Sequence, residues 1–206
     1  MTEVLPAFVP RFVAALGVNV GIAAAAVACG LLVGLPLAAA RLLPGWAGRT
    51  ASALVALLRS APTFVVMFFL LNALPRGIAL GPWQLAMTPW LSVVLSLAIY
   101  ATAYVCDNAL EAAQQWRRGS RLAAMLFPMG LVRAFFVMVL SSGFGAAVGV
   151  IEATTVTLRQ LEALDGTGAR LALMALVVAM FVLLFQGVYA LIERLRRRLV
   201  ARMAGA

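Results

Sequence analysis

Two carboxylates stand at the ends of strongly apolar runs: Asp107 closes "SLAIYATAYVCD" and Glu152 follows "AAVGVI". Charge at membrane depth is costly, and such a carboxylate usually faces a bundle interior or a water-filled cavity. Neutral hydrogen-bonding side chains accompany the pair. Tyr100 and Tyr104 lie one helical turn apart and share a face. Asn72, Thr154 and Thr155 add an amide and two hydroxyls. This chemistry suits a polar path for a small hydrophilic solute, with Asn72, Tyr100, Tyr104, Glu152, Thr154 and Thr155 as candidate lining. A plainer reading makes Asp107 a boundary residue in cytoplasmic water and Glu152 one in periplasmic water. The polar run "ATTVT" after Glu152 favours the path at that end.

Other chemistries lack their residues. Histidine is absent, which removes the commonest proton shuttle and metal ligand. Cys29 and Cys106 lie in or at the end of apolar runs, as buried structural thiols do. There is no Gly-x-x-x-x-Gly-Lys-Ser/Thr loop to cradle ATP. The glycine-rich "SSGFGAAVG" (Ser141 to Gly149) reads as small residues for close helix packing. No cofactor and no metal are expected on this chain.

The elements that must hold these residues are membrane spans. Of 206 residues, 65% are hydrophobic and 11% charged, and the mean hydropathy is +1.05. A soluble domain of that size cannot hide so much apolar surface. The net charge of +9 comes from arginine alone. Those arginines sit in short clusters between apolar runs, where they set orientation in a bilayer rather than bind nucleic acid. "MTEVLPAFVP" has no positive n-region, so a cleaved signal peptide is not expected.

A span needs roughly 20 apolar residues. Five stretches qualify, at about Phe12–Ala40, Ala61–Leu74, Pro89–Cys106, Ala134–Ile151 and Leu171–Ile192. The first is long enough to tilt or kink near Gly34 and Pro36. The second is short, and "TASALVALL" before it reads as an interfacial or helical lead-in. The expected fold is an all-α integral membrane bundle, one domain over residues 1–206, without a separate soluble domain. Arg41 and Arg49, then Arg117, Arg118, Arg121 and Arg133, then Arg194, Arg196, Arg197, Arg198 and Arg202 mark the cytoplasmic side. Five spans then give an outside N-terminus and an inside C-terminus. In "LRSAPTFVVMFFLL" (Leu58 to Leu71), Arg59 snorkels to headgroups at the cytoplasmic start of the second span. Pro62 sits at a first-turn position where a missing N–H costs little.

The wider pattern resembles the permease subunits of bacterial ABC importers for polar amino acids. "LRSAPTFVVMFFLLNALP" is similar to the family's Arg-Gly-Thr-Pro segment with an aromatic-rich helix and a Leu-Pro exit. "VNVGIAAAAVACGLLVGLPLAAARLLP" looks like its opening helix. "LAIYATAYVCDNAL" is similar to its Ala-Tyr-x-x-Glu stretch with Asp107 for Glu, and "IEATTVTL" to its Lys-Asp-Thr-Ser-Leu stretch. The resemblance implies a cytoplasmic coupling loop within about 108–133 that docks on an ATPase. Glu111, Ala112, Ala113, Trp116 and Gly119 are its candidate residues, with Arg117 where the family has glycine and Gly119 two positions late. A second alignment puts Leu122-Ala123-Ala124 on the motif and loses the glutamate. The stretch from Glu152 to the last span is also shorter than the family's.

What the resemblance implies is a multi-pass subunit of the bacterial inner membrane, not itself an enzyme. It would pair with itself or a related permease. A cytoplasmic ABC ATPase dimer would bind ATP and Mg, a periplasmic or lipid-anchored protein would deliver the solute, and lipid would surround the bundle. The solute is expected to be a polar amino acid or a similar small molecule. Two other classes stay open: a small membrane enzyme or lipid-handling protein using Asp107 and Glu152 as acid and base, and an ATPase-independent channel or exporter subunit.

Overall fold

The computed structural model describes residues 4–73, 78–80, 83–120 and 127–204. The first helix, α1, runs Val4–Arg41. Its alanines and leucines are the strongest helix formers, and the helix continues unbroken through Pro36. Gly45, at φ +87°, starts the next element. That left-handed value suits glycine because it has no Cβ to clash.

Helix α2 covers Trp46–Ser60 and buries Gly48, Ala51 and Val55, residues three or four apart on one face. It stops because Pro62 disfavours helical backbone at Ala61, which is extended at φ −69°, ψ 118°. Helix α3, Thr63–Ala73, then leaves at 89° to α2. With 11 residues α3 reaches only about 16 Å, short of a hydrocarbon core of about 30 Å. The expected second span is therefore a bent pair, a broken span or a re-entrant loop. Four described helices are long and apolar enough to cross a membrane, five if the pair counts as one.

Two short strands, β1 (Ile78–Leu80) and β2 (Trp83–Leu85), pair antiparallel with Ile78 opposite Leu85. The span reading did not include them, although Gly81-Pro82 between apolar residues is a turn signature. Helix α4 runs Pro89–Arg117, with Thr88 Oγ1 accepting from the Leu91 N–H and Pro89 in the first turn. Its 29 residues extend about 43 Å, so the C-terminal turns outrun a bilayer core. Helix α5, Phe127–Ser141, passes into a 3-10 helix at Ser142–Val148, ended by Gly149 at φ +89°. Helices α6 (Ala153–Glu162) and α7 (Thr167–Ala204) complete the order.

Contacts group the chain into two units. One comprises Val9–Val156; the other comprises residues up to Phe8 together with Thr157–Ala206. In the first unit α4 is central: 61% of its apolar window is buried, against 33% for α1 and for the α5 span. Lipid tails supply no hydrophobic drive between helices, so close backbone approach has to do that work. Gly30 and Gly34 of α1 meet Ala101, Thr102 and Val105 of α4. One turn further, Ala38, Val55, Ala103 and Cys106 form a buried cluster that joins α1, α2 and α4. In the second unit, α7 carries an Arg197–Glu193 pair one turn apart at 3.0 Å.

Candidate functional site

Polar side chains gather at two levels of the Val9–Val156 unit. The first centres on Glu152, which is fully buried. It immediately precedes α6 and caps that helix with both carboxylate oxygens. Oε2 accepts from the Thr154 N–H at 2.9 Å and from Asn19 Nδ2 at 2.8 Å. Oε1 accepts from the Thr155 N–H at 3.0 Å and from Thr155 Oγ1 at 3.3 Å. A carboxylate has about four lone-pair sites, and these donors occupy them. Its charge meets the positive end of α6 rather than a cation.

Asn19 is the counterpart on α1. Its Oδ1 accepts from the Ala153 N–H at 3.0 Å, and its Nδ2 also donates to Ser142 Oγ at 2.8 Å. Ser142 donates onward to the Val139 carbonyl at 2.7 Å. Gly143 leaves room for Thr154, since a Cβ there would stand 2.8 Å from Thr154 Oγ1. The small residues of "SSGFGAAVG" thus do permit close packing. Sequence reading missed Asn19 and Ser142. An asparagine inside the apolar run of α1 was the available signal, because a buried amide needs partners.

The second level centres on Asp107. Arg41 Nη1, at the end of α1, donates to Oδ1 at 2.7 Å and to Cys106 Sγ at 3.7 Å. Arg59 Nη2, at the end of α2, donates to Oδ2. Arg41 Nε is buried and has no partner among the described residues. The ends of α1 and α2 and the lower part of α4 therefore lie at one level, consistent with their assignment to one side from charge alone.

Asn19 and Arg41 are about six turns apart on α1, on the order of 33 Å. Asp107 and Glu152, each bonded to one of them, are not assembled as an acid–base pair. Of the candidate lining residues, the structure brings together Glu152, Thr154 and Thr155. Tyr100 and Tyr104 stack on each other with ring centroids 6.3 Å apart. Tyr104 lies near Asn108, whose Nδ2 donates to the Tyr104 carbonyl and whose Oδ1 packs against Gly130. Asn72 is exposed on α3 and donates to the Phe68 carbonyl.

The candidate coupling residues Glu111, Ala112, Ala113 and Trp116 continue α4 in line with the span rather than forming a separate helix. Trp116 is 57% exposed there. Gly119 follows in a turn at φ +83°. The alternative Leu122-Ala123-Ala124 lies outside the described residues.

No protein-family model and no curated protein matches the chain. Among solved structures, it resembles a crystal structure described as that of "an amino acid ABC transporter with histidines". The TM-score is 0.68 at 19% identity, over 95% of this chain and 97% of that one. An identity so low establishes the fold alone: over nearly its whole length, this chain has the helical membrane fold of that transporter chain.

Proposed function

We propose that the chain is the transmembrane subunit of an ATP-driven ABC importer for a polar amino acid or similar small solute. The observation that carries this reading is the full-length fold likeness to a protein described as an amino acid ABC transporter. The residues that resemble the polar amino acid permeases support it independently. A second permease subunit, itself or a homologue, completes the path. A separate ATPase dimer binds ATP and Mg, and a periplasmic or lipid-anchored protein hands over the solute. The subunit sits in the bacterial inner membrane with its N-terminus outside. The test is purification of the chain from membranes of its native cell. A bound ATPase and solute-stimulated hydrolysis are expected, whereas a lone, active chain would point to the enzyme or channel classes.

Orientation has its own check. Single cysteines near Gly45 and Gly119, in a background without Cys29 and Cys106, are expected to resist an impermeant thiol reagent applied from outside. Labelling there would reverse the topology.

Coupling rests on the end of α4. Its last turns, Glu111 to Arg117, project beyond the level of Asp107, the only part of α4 able to reach a soluble partner on that side. Losing an aromatic anchor costs about 2 kcal/mol of binding or more, while a rim charge costs far less. Trp116→Ala is expected to lower ATPase retention on detergent purification most, Arg118→Ala least, with Glu111→Ala between. Equal retention and wild-type hydrolysis in all three would remove this segment from the interface.

A further inference from the structure

We propose that Asp107 is a partner-exchanging latch that holds the α2–α3 elbow against α4 and can release it. Three observations carry this. The two oxygens of Asp107 are divided, one to Arg41 and one to Arg59, so neither arginine forms the two-pronged pair that a guanidinium and a carboxylate prefer. The division leaves Arg41 Nε buried without a partner among the described residues, a desolvated donor that carries a penalty until it is satisfied. Arg59 is 59% exposed and lies three residues before Pro62, at the vertex of the 89° bend.

These features describe two arrangements of similar free energy. In the latched one, Asp107 is shared. In the released one, Asp107 turns fully to Arg41 and takes Nε and Nη2, the two N–H groups on one edge of the guanidinium, while Arg59 passes into water. The exposed ion pair that is lost is worth little, and the buried donor that gains a partner offsets it. The fully buried residues at this level are Ala38, Val55, Ala103 and Cys106, with Leu37, Leu58 and Leu110 partly buried against them, so parting α2 from α4 withdraws only Val55 and the partly buried Leu58. Val55 belongs to α2 and packs in the cluster that buries Cys106. Release of the elbow therefore exposes the Cys106 thiol.

The latch goes beyond the importer reading and links to it at one point. Asp107 precedes Glu111 by one turn of α4, so movement of the proposed docking segment would reach α3 through this elbow. The test needs no ATPase and stays distinct from failure of that reading. It measures the rate at which a small maleimide alkylates Cys106 in full-length protein with Cys29→Ala, in detergent, for variants that elute as a single species. Arg59→Gln is expected to label about three-fold faster than the parent. Arg59→Lys, which keeps a donor for Oδ2, is expected to label at the parent rate. Arg41→Lys cannot offer the two-pronged fork, so it is expected to stay latched and label no faster than the parent. Arg59→Gln labelling at the parent rate, or Arg41→Lys labelling as fast as Arg59→Gln, would overturn the exchange and leave a static brace.

Discussion

Glu152→Leu is expected to destabilise the protein more than any other single substitution at a polar residue in the Val9–Val156 unit. Glu152 is fully buried, and leucine of similar size would strand the donors that now point at it. These are the N–H groups of Thr154 and Thr155 and the amide of Asn19. Each buried donor left alone costs about 1–3 kcal/mol, and hydrogen bonds to a charged acceptor lie at the upper end. Partial relaxation leaves a net loss on the order of 4 kcal/mol, in the range reserved for broken buried networks. Glu152→Gln keeps the shape but turns an NH2 toward other donors, at a cost of about 2 kcal/mol. Glu152→Asp keeps charge and a good capping group, although its shorter arm cannot serve Asn19 and α6 equally. The order of thermal midpoints in detergent should be parent, Asp, Gln, Leu. A Leu variant as stable as the parent would remove the capping role. A Gln variant of parental stability that still loses transport would return Glu152 to the solute path.

The α1–α4 seam should be nearly as sensitive, and for a steric reason. A Cβ at Gly30 would stand 2.8 Å from Ala101 Cβ and 2.9 Å from the Ala101 carbonyl carbon. At Gly34 it would stand 2.7 Å from the Thr102 carbonyl oxygen. Backbone atoms cannot swing away as a side-chain tip can, so the helices must separate. Overpacking of this kind costs about 1–3 kcal/mol per site, and the cluster around Cys106 would open with it. Gly30→Ala and Gly34→Ala are expected to lower the thermal midpoint, and Gly30→Leu to abolish monodisperse protein. Gly17 and Gly21 lie on the same helix with nothing within 4 Å of an added Cβ. Alanine there should be neutral or stabilising by up to about 1 kcal/mol, because it forms helix better than glycine. Similar behaviour at all four sites would show that the seam does not set the packing.

Much of this protein was legible along the chain. Hydropathy is a sum over some 20 neighbouring residues, so the long apolar helices could be found without knowing what they touch. Arginine clusters are equally local, and they placed Arg41, Arg59 and Asp107 on one side before any contact was known. The second span and its helical lead-in were legible and stand as α3 and α2, but the 89° turn between them was not, because it depends on a single proline between two helical patterns. The strand pair Ile78–Leu80 and Trp83–Leu85 escaped because three-residue strands are too short for alternation to register.

The candidate sites were less legible, for a different reason. Asn19 and Glu152 are 133 positions apart, and Arg41 and Asp107 are 66 apart. Whether such residues meet depends on the rotation of each helix about its axis and on its register against its neighbour. No local property of the chain encodes either quantity. Here the close approach of Gly30 and Gly34 to α4 fixes the register of α1, and that register brings Arg41 to Asp107. The sequence determined by itself that the chain enters a membrane, roughly where, and which charges share a side. Only the tertiary structure decided that Glu152 is a saturated helix cap rather than a boundary residue in water, and that Asp107 is divided between two arginines. Burial and pairing belong to packed helices, whereas span and charge bias belong to the chain before it packs.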